Sequence, residues 1–164
     1  MAVVVSDATP LHYLILIGRD SVLEKLYQQV LVPPAVVQEL RHPAAPPAIS
    51  AWVKSPPAWL TVQSPASIPA RFDNLDFGEQ QALALAKEIH ADFVLLDDRV
   101  ARRFAENEAL KVKGTLGIVA DAAKAGLLNF RATVETLRRS TMHLDAKLAQ
   151  RIIEEYEKGP GRRG

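Results

Sequence analysis

Two kinds of apolar spacing alternate along this chain. Val3-Val4-Val5-Ser6 is a short β-branched run without polar alternation, the pattern of a strand buried on both faces. Thr9 followed by Pro10 reads as an N-cap with proline at the first helical position, opening a helix through Leu11, Leu14 and Ile15. Ser21-Val-Leu-Glu24 reads as a capping box opening a second helix to about Gln29. Val30-Leu31-Val32 is a second strand, and Pro33-Pro34 starts a helix through Glu39. Gly78 to His90 is a strong helix, followed by a third strand at Phe93 to Leu96 and a helix from Arg99 to Leu110. Lys111-Val112-Lys113 is a fourth strand, weaker in composition. Thr115 to Ala125 is helical, with Gly126 as the left-handed residue behind it. Two helices close the pattern at about 131–139 and 144–157. In the last, Leu144, Leu148, Ile152 and Tyr156 recur every fourth residue, with Ala149 and Ile153 beside them. That row suits either core packing or a partner surface.

Strands alternating with helices predict an α/β protein, a central parallel sheet of about four to five strands with helices on both faces. In such sheets, ligands bind outside the carboxyl ends of the strands, where the strand order reverses. The prolines are unevenly placed: nine of the 11 lie between Pro33 and Pro69. The tract of about 41–70 therefore reads as short helical pieces broken by turns, an insertion within one domain spanning 1–158. The C-terminal helices occupy about 131–158, and the tail 159–164 is expected to fray.

Composition narrows the class. With 164 residues, 48% apolar and 24% charged, the chain is long enough and apolar enough for a globular core. It has no cysteine, which excludes disulfides, iron–sulfur clusters, cysteine-based zinc sites and thiol nucleophiles, and fits a reducing cytoplasm. No apolar run approaches the roughly 18 residues needed to cross a bilayer, and Asp7 follows Met1–Val5 too early for a signal-peptide core. Lys and Arg number 20 against 19 Asp and Glu, which argues against polybasic binding of nucleic acid. It leaves open an enzyme in which a cation supplies the positive charge at a phosphate.

The carboxylates carry the candidate chemistry. Asp7 ends the first strand and shares a face with Val3 and Val5; its plainer role is a helix cap. Glu39 lies three residues after Val36, beside the apolar stripe of its helix; its plainer role is a solvated boundary residue. Asp76 and Glu79 form a second capping box, but Glu79 also leads the core-facing row Ala82, Leu83, Ala86. Asp97 and Asp98 end the third strand; either one alone caps the next helix, whereas two adjacent acids repel unless a cation relieves them. In a doubly wound sheet, Asp7, Glu39, Glu79 and Asp97/Asp98 can meet in one pocket. An all-oxygen donor set suits Mg²⁺ or Mn²⁺ rather than zinc.

Ser6, Thr9 and Thr115 carry hydroxyls that can orient those carboxylates, although capping explains Thr9 equally well. Arg99, Arg102 and Arg103 follow Asp98 and are candidates for phosphate contacts, against the plainer reading of a solvated helix face. The four histidines, His12, His42, His90 and His143, have no metal-ligand spacing, and His90 stands near a helix end as a structural residue.

The segments VVSDATPL, VPPAVVQEL, LDFGEQQALALA, VLLDDRVAR and VKGTLG occur in this order over residues 3–125. As an ordered set they resemble the PIN-domain family, in particular its prokaryotic branch of small nucleases similar to toxins of toxin–antitoxin pairs. The resemblance implies an α/β/α sandwich and a cytoplasmic Mg²⁺- or Mn²⁺-dependent endoribonuclease acting on RNA. It implies Asp7, Glu39, Glu79 and Asp98 as the catalytic acids. Of these, Asp7, Glu79 and Asp98 are the expected metal ligands, and Asp97 is a supporting neighbour. It also implies a homodimer and a small antitoxin partner. Two positions depart from the family pattern: Ala8 replaces a frequent threonine, and Glu79 replaces a frequent aspartate, adding a methylene.

A phosphatase or a phosphoacceptor domain on a similar sheet also gathers aspartates at strand ends. A haloacid-dehalogenase-like phosphatase needs a second aspartate two residues after the first, where this chain has Thr9. A receiver domain needs its acidic pair early and a single acceptor aspartate later, the reverse of the order here. A catalytically weak PIN-like module that binds RNA or protein is the remaining alternative, and retention of all four acids argues against it.

Overall fold

The computed structural model describes residues 2–159, so the predicted tail lies outside the described residues except for Gly159. Five strands form one sheet: β1 (Ala2–Ser6), β2 (Tyr27–Val32), β3 (Leu60–Val62), β4 (Phe93–Leu95) and β5 (Val112–Lys113). Their order is β3-β2-β1-β4-β5, and every pair is parallel. The chain runs outward from β1 through β2 to β3, then returns to the other side of β1. The order therefore reverses between β1 and β4, and this is the switch point at which an open parallel sheet places its ligands.

Between the strands lie α1 (Ala8–Leu16), α2 (Val22–Leu26), α3 (Pro34–Leu40), α4 (Pro47–Lys54), α5 (Phe77–Ile89) and α6 (Arg99–Asn107). They are followed by α7 (Thr115–Lys124), α8 (Phe130–Arg139) and α9 (Ala146–Lys158). The residues group into two compact units, one up to Thr115 and one from Leu116 onward. In the first, Val5, Leu31 and Val94 of the sheet pack with Phe72, Leu75, Ala82 to Ala86 of α5, and Ala101 and Ala105 of α6. The alternate strand residues Val4, Val30, Val32 and Leu95 are buried as well, so the sheet is covered on both faces. This is the α/β architecture expected from the alternating pattern. The predicted row Ala82, Leu83, Ala86 is fully buried. Truncating a buried leucine such as Leu83 to alanine would cost about 2–5 kcal/mol.

Several boundaries differ from the sequence expectation, each for a physical reason. Helix α1 begins at Ala8, and its N-cap position is Asp7 rather than Thr9. Pro10 falls in the first turn, where the backbone N–H has no intrahelical partner to lose. Helix α2 stops at Leu26, and Ser21 makes no side-chain cap bond. Tyr27 and Gln29 pair instead with Ala2 and Val3 of β1, so sheet pairing overrides local helical tendency. The proline-rich tract is helical only in α4 and a short 3₁₀ turn at Ala70–Phe72. Between them it contributes β3, an edge strand in register with β2 from Val30–Leu60 to Val32–Val62.

In the second unit, Asn129 and Asp145 cap α8 and α9 by accepting from Ala132 N and Leu148 N. Phe130 stacks on Tyr156 with centroids 4.0 Å apart. Ala149 and Ile153 are fully buried, while Leu148 is exposed. The buried face of α9 is thus turned by one residue from the predicted row of Leu144, Leu148, Ile152 and Tyr156. Gly126 adopts φ +76°, the left-handed conformation expected after α7.

Candidate active site

Asp7 is the first residue beyond β1. Its N–H donates to the Leu95 carbonyl at 2.9 Å, which aligns the carboxyl ends of β1 and β4 at the switch point. Although Asp7 occupies the N-cap position of α1, its carboxylate makes no cap bond. Oδ1 is buried without a hydrogen-bond partner. A buried carboxylate oxygen without a partner is unstable as an anion. Burial accordingly pushes the Asp7 carboxyl up to about 7; the Ala8 backbone N–H opposes this, and the charges of Glu39, Asp76 and Asp97 add to it. Capping therefore does not account for this side chain.

Glu79 serves two purposes. It completes the capping box of α5: Glu79 N donates to Asp76 Oδ1 at 2.8 Å, and Asp76 N donates to Glu79 Oε1 at 3.2 Å. It is also buried, at 8% exposure, on the face of α5 that meets the sheet. Burial raises its carboxyl to about 7; the Asp76 N–H works against the shift, and the charges of Asp76, Asp7 and Asp98 add to it. The sequence pattern explains Asp76 as a cap. Its charge nevertheless acts on Asp7, Glu39 and Glu79 alike, so it belongs to the acidic site and was missed by the sequence reading.

Glu39, from α3, is more exposed than Asp7 and Glu79. Its carboxyl is raised first by partial burial, then by Asp76 and Glu79. It reaches the site across Gly78. A Cβ at Gly78 would collide with Glu39 Oε1 and stand 3.5 Å from Asp7 Oδ1. The glycine in LDFGEQ is thus the space that lets carboxylates of α3 and the β1 end meet beside the first turn of α5. Nothing in the local sequence marks it, because the collision involves a residue 39 positions earlier.

The adjacent acids after β4 part company. Asp97 accepts two hydrogen bonds from Thr115, from N at 2.8 Å to Oδ1 and from Oγ1 at 2.6 Å to Oδ2. Asp98 is exposed and caps α6 by accepting from Ala101 N at 2.9 Å through Oδ2 alone. Thr115 therefore orients a carboxylate, as expected. Ser6 does not: its hydroxyl donates to the Asp7 main-chain carbonyl at 2.9 Å. Thr9 lies inside α1, and no side-chain hydrogen bond joins it to the acids among the described residues. Tyr13, not anticipated, is raised by burial and by the Asp97 charge, which places its phenol within the field of the site. Arg99, Arg102 and Arg103 line one polar cavity of about 330 Å³ with Asp97 and Glu106.

The candidate site thus gathers Asp7, Glu39 and Glu79, whose carboxyls feel the charges of one another and of Asp76, Asp97 and Asp98. Among the described residues, no three acidic or histidine side chains already stand as a ready-made chelating group. The donor chemistry nevertheless fits a small divalent cation. The donors are all oxygen, one buried oxygen lacks any partner, and two carboxyls are driven toward neutrality, first by burial and then by neighbouring negative charge.

A family model described as a PIN domain matches residues 3–158. No curated protein matches the chain. Among the described residues, no helix is long and apolar enough to cross a membrane.

Proposed function

The chain belongs to the PIN-domain family, a nuclease-type fold, and from that premise we propose that it is a divalent-metal-dependent endoribonuclease that hydrolyses RNA phosphodiester bonds. The observation that carries the proposal is Asp7 Oδ1, buried, unpartnered and surrounded by carboxylates that repel one another. In this reading Asp7, Glu79 and Asp98 hold Mg²⁺ or Mn²⁺. Asp98 is preferred over Asp97 because Thr115 occupies both Asp97 oxygens, whereas Asp98 spends only one on its cap. When bound, the ion supplies the charge that lets a phosphate approach acids and polarises the attacking water. Glu39, the more exposed acid with a raised carboxyl, accepts the water proton at its carboxylate. The new bond joins the water oxygen to phosphorus, the bond to the leaving oxygen breaks, and that oxygen is protonated from solvent. Asp97, fixed by Thr115, orients the loop that presents Asp98.

The test is cleavage of mixed RNA in Mg²⁺ or Mn²⁺ by wild type, with EDTA, Asp7→Asn and Asp98→Asn as controls. Cleavage in wild type that disappears in every control is expected. Cleavage that survives both EDTA and the substitutions overturns the mechanism. RNA binding with no cleavage under any metal favours the alternative of a catalytically weak PIN-like module. The finer biological reading is a cytoplasmic toxin of a toxin–antitoxin pair acting as a homodimer. It is supported by the ordered motifs of residues 3–125, and isolation of the protein with a small cognate antitoxin would test it.

A further inference from the structure

The arginine cavity beside the acids has a construction of its own. Arg99, Arg102 and Arg103 open into one space with Asp97 and Glu106. Among the described residues none of the three guanidiniums has an ion-pair partner, although Arg71, Lys87, Arg131 and Arg138 all do. Asp97 cannot supply one readily, since both its oxygens are engaged by Thr115. In the first turn of α6, Ala101 N donates to the Asp98 carboxylate. An anion entering this cavity meets the guanidinium groups of Arg99, Arg102 and Arg103.

Gly114 sets where Arg102 stands. Its φ lies outside the left-handed region, so the backbone does not demand glycine there. Space does. A Cβ at Gly114 would lie 2.9 Å from Asp97 Oδ1 and 3.1 Å from Arg102 Nη1. The missing side chain is the opening through which the Arg102 guanidinium lies close to the site aspartate without pairing with it. An acidic cluster that needs a cation, adjoining a cavity lined by unpaired arginines, alternates in the way a phosphodiester chain requires. One phosphate would approach the acids with a cation between them, and its neighbour would meet the arginines.

Building on the proposed ribonuclease reading, we propose that Arg102 binds the phosphate adjacent to the scissile one in single-stranded RNA, and that Gly114 is the positioning residue that keeps it there. Arg99 and Arg103 extend the same cationic wall.

The experiment measures binding, not turnover, so it separates this inference from the hydrolytic one. A fluorescent, unstructured RNA 12-mer is titrated in EDTA across a salt series, with anisotropy as readout. Wild type should bind with a salt-dependent affinity. Arg102→Gln should weaken binding and reduce the slope of log K against log salt by about one, since one phosphate contact is removed. Gly114→Ala should weaken binding similarly while circular dichroism and thermal melting report a folded protein. Arg19→Gln, an exposed arginine outside the cavity, should leave the slope unchanged. DNA of the same length that shows the same loss in Arg102→Gln supports phosphate recognition. An unchanged slope in Arg102→Gln overturns the inference even if wild type hydrolyses RNA. So does displacement of the RNA by polyglutamate as effective as displacement by RNA itself.

Discussion

Thr115 grips Asp97 twice, through its N–H at 2.8 Å and its hydroxyl at 2.6 Å. The pair ties the loop after β4 to the start of α7, 18 residues later. Thr115 is fully buried, so the hydroxyl has no water to turn to. Thr115→Val keeps the shape and removes the donor, leaving Asp97 one bond short. A hydrogen bond to a charged group contributes about 1.5–3 kcal/mol, and Asp97 is only half-buried, so a loss of about 1–2 kcal/mol is expected. Thr115→Ser restores the donor and should recover most of it. The midpoint of urea unfolding checks both, and equal stability of the valine and serine variants would contradict the bond's importance.

The raised carboxyls predict an unusual pH profile. Asp7 and Glu79 move from ordinary values near 4 up to about 7 in the folded protein. The native state therefore binds more protons than the unfolded chain between about pH 4 and 7, and stability conferred by these two groups falls as pH rises through that window. Glu108, held down to about 2 first by hydrogen bonding to Arg71, works in the opposite sense: its contribution is present above about 4.5 and is lost as pH falls toward 2. Thermal melts in EDTA from pH 5 to 8 should show wild type losing stability relative to Asp7→Asn. Mn²⁺ at pH 8 should raise the wild-type midpoint, with a much smaller effect at pH 5, where protons compete for the same oxygens. An identical pH profile for wild type and Asp7→Asn would contradict the assignment.

Much of this site was legible in the sequence, and the reasons for the gaps are specific. Asp7, Glu79 and the Asp97–Asp98 pair were readable because β-branched runs and helix starts fixed them to strand ends and a first turn. Asp76 was hidden by its own good local explanation: a capping box accounts for it without reference to the rest of the fold. Gly78 and Tyr13 were hidden because what matters about them is what long-range folding brings opposite, Glu39 and Asp97 respectively. The strand β3 was missed because Leu60-Thr61-Val62 is three residues long, partly exposed and flanked by prolines, which is how an edge strand differs from a core one.

Gly78 offers a test in which stability and activity move apart. Alanine is the better helix former by about 1 kcal/mol in a helix interior, and less in a first turn. Its Cβ would strike the far end of a flexible glutamate rather than backbone, so the fold can accommodate it. Gly78→Ala should therefore melt at or above the wild-type temperature while RNA hydrolysis falls about 10- to 100-fold, as Glu39 is pushed from Asp7. Because both changes act through one carboxylate, Gly78→Ala combined with Glu39→Ala should be no slower than Glu39→Ala alone. A fully additive loss would show that Gly78 acts elsewhere.

The end of α6 stores strain that a substitution can release. Ala109 has φ +62°, a conformation that a side chain disfavours. It is held there by paired bonds, Ala109 N to Glu106 O and Leu110 N to Ala105 O, both 3.0 Å. This is the Schellman pattern, in which the left-handed position usually carries glycine. The strain in alanine is about 1–2 kcal/mol, and the extra freedom that glycine brings to the unfolded chain offsets about 0.5–1 of it. Relief wins by about 0.5–1 kcal/mol, so Ala109→Gly should raise the melting temperature by about 1–4 °C. His90, at φ +54° behind α5 with the matching bond from Ala91 N to Ala86 O at 3.0 Å, should respond in the same direction to His90→Gly. Neither change touches the acidic site, so hydrolysis should stay at the wild-type rate, and a lowered melting temperature in both would refute the strain.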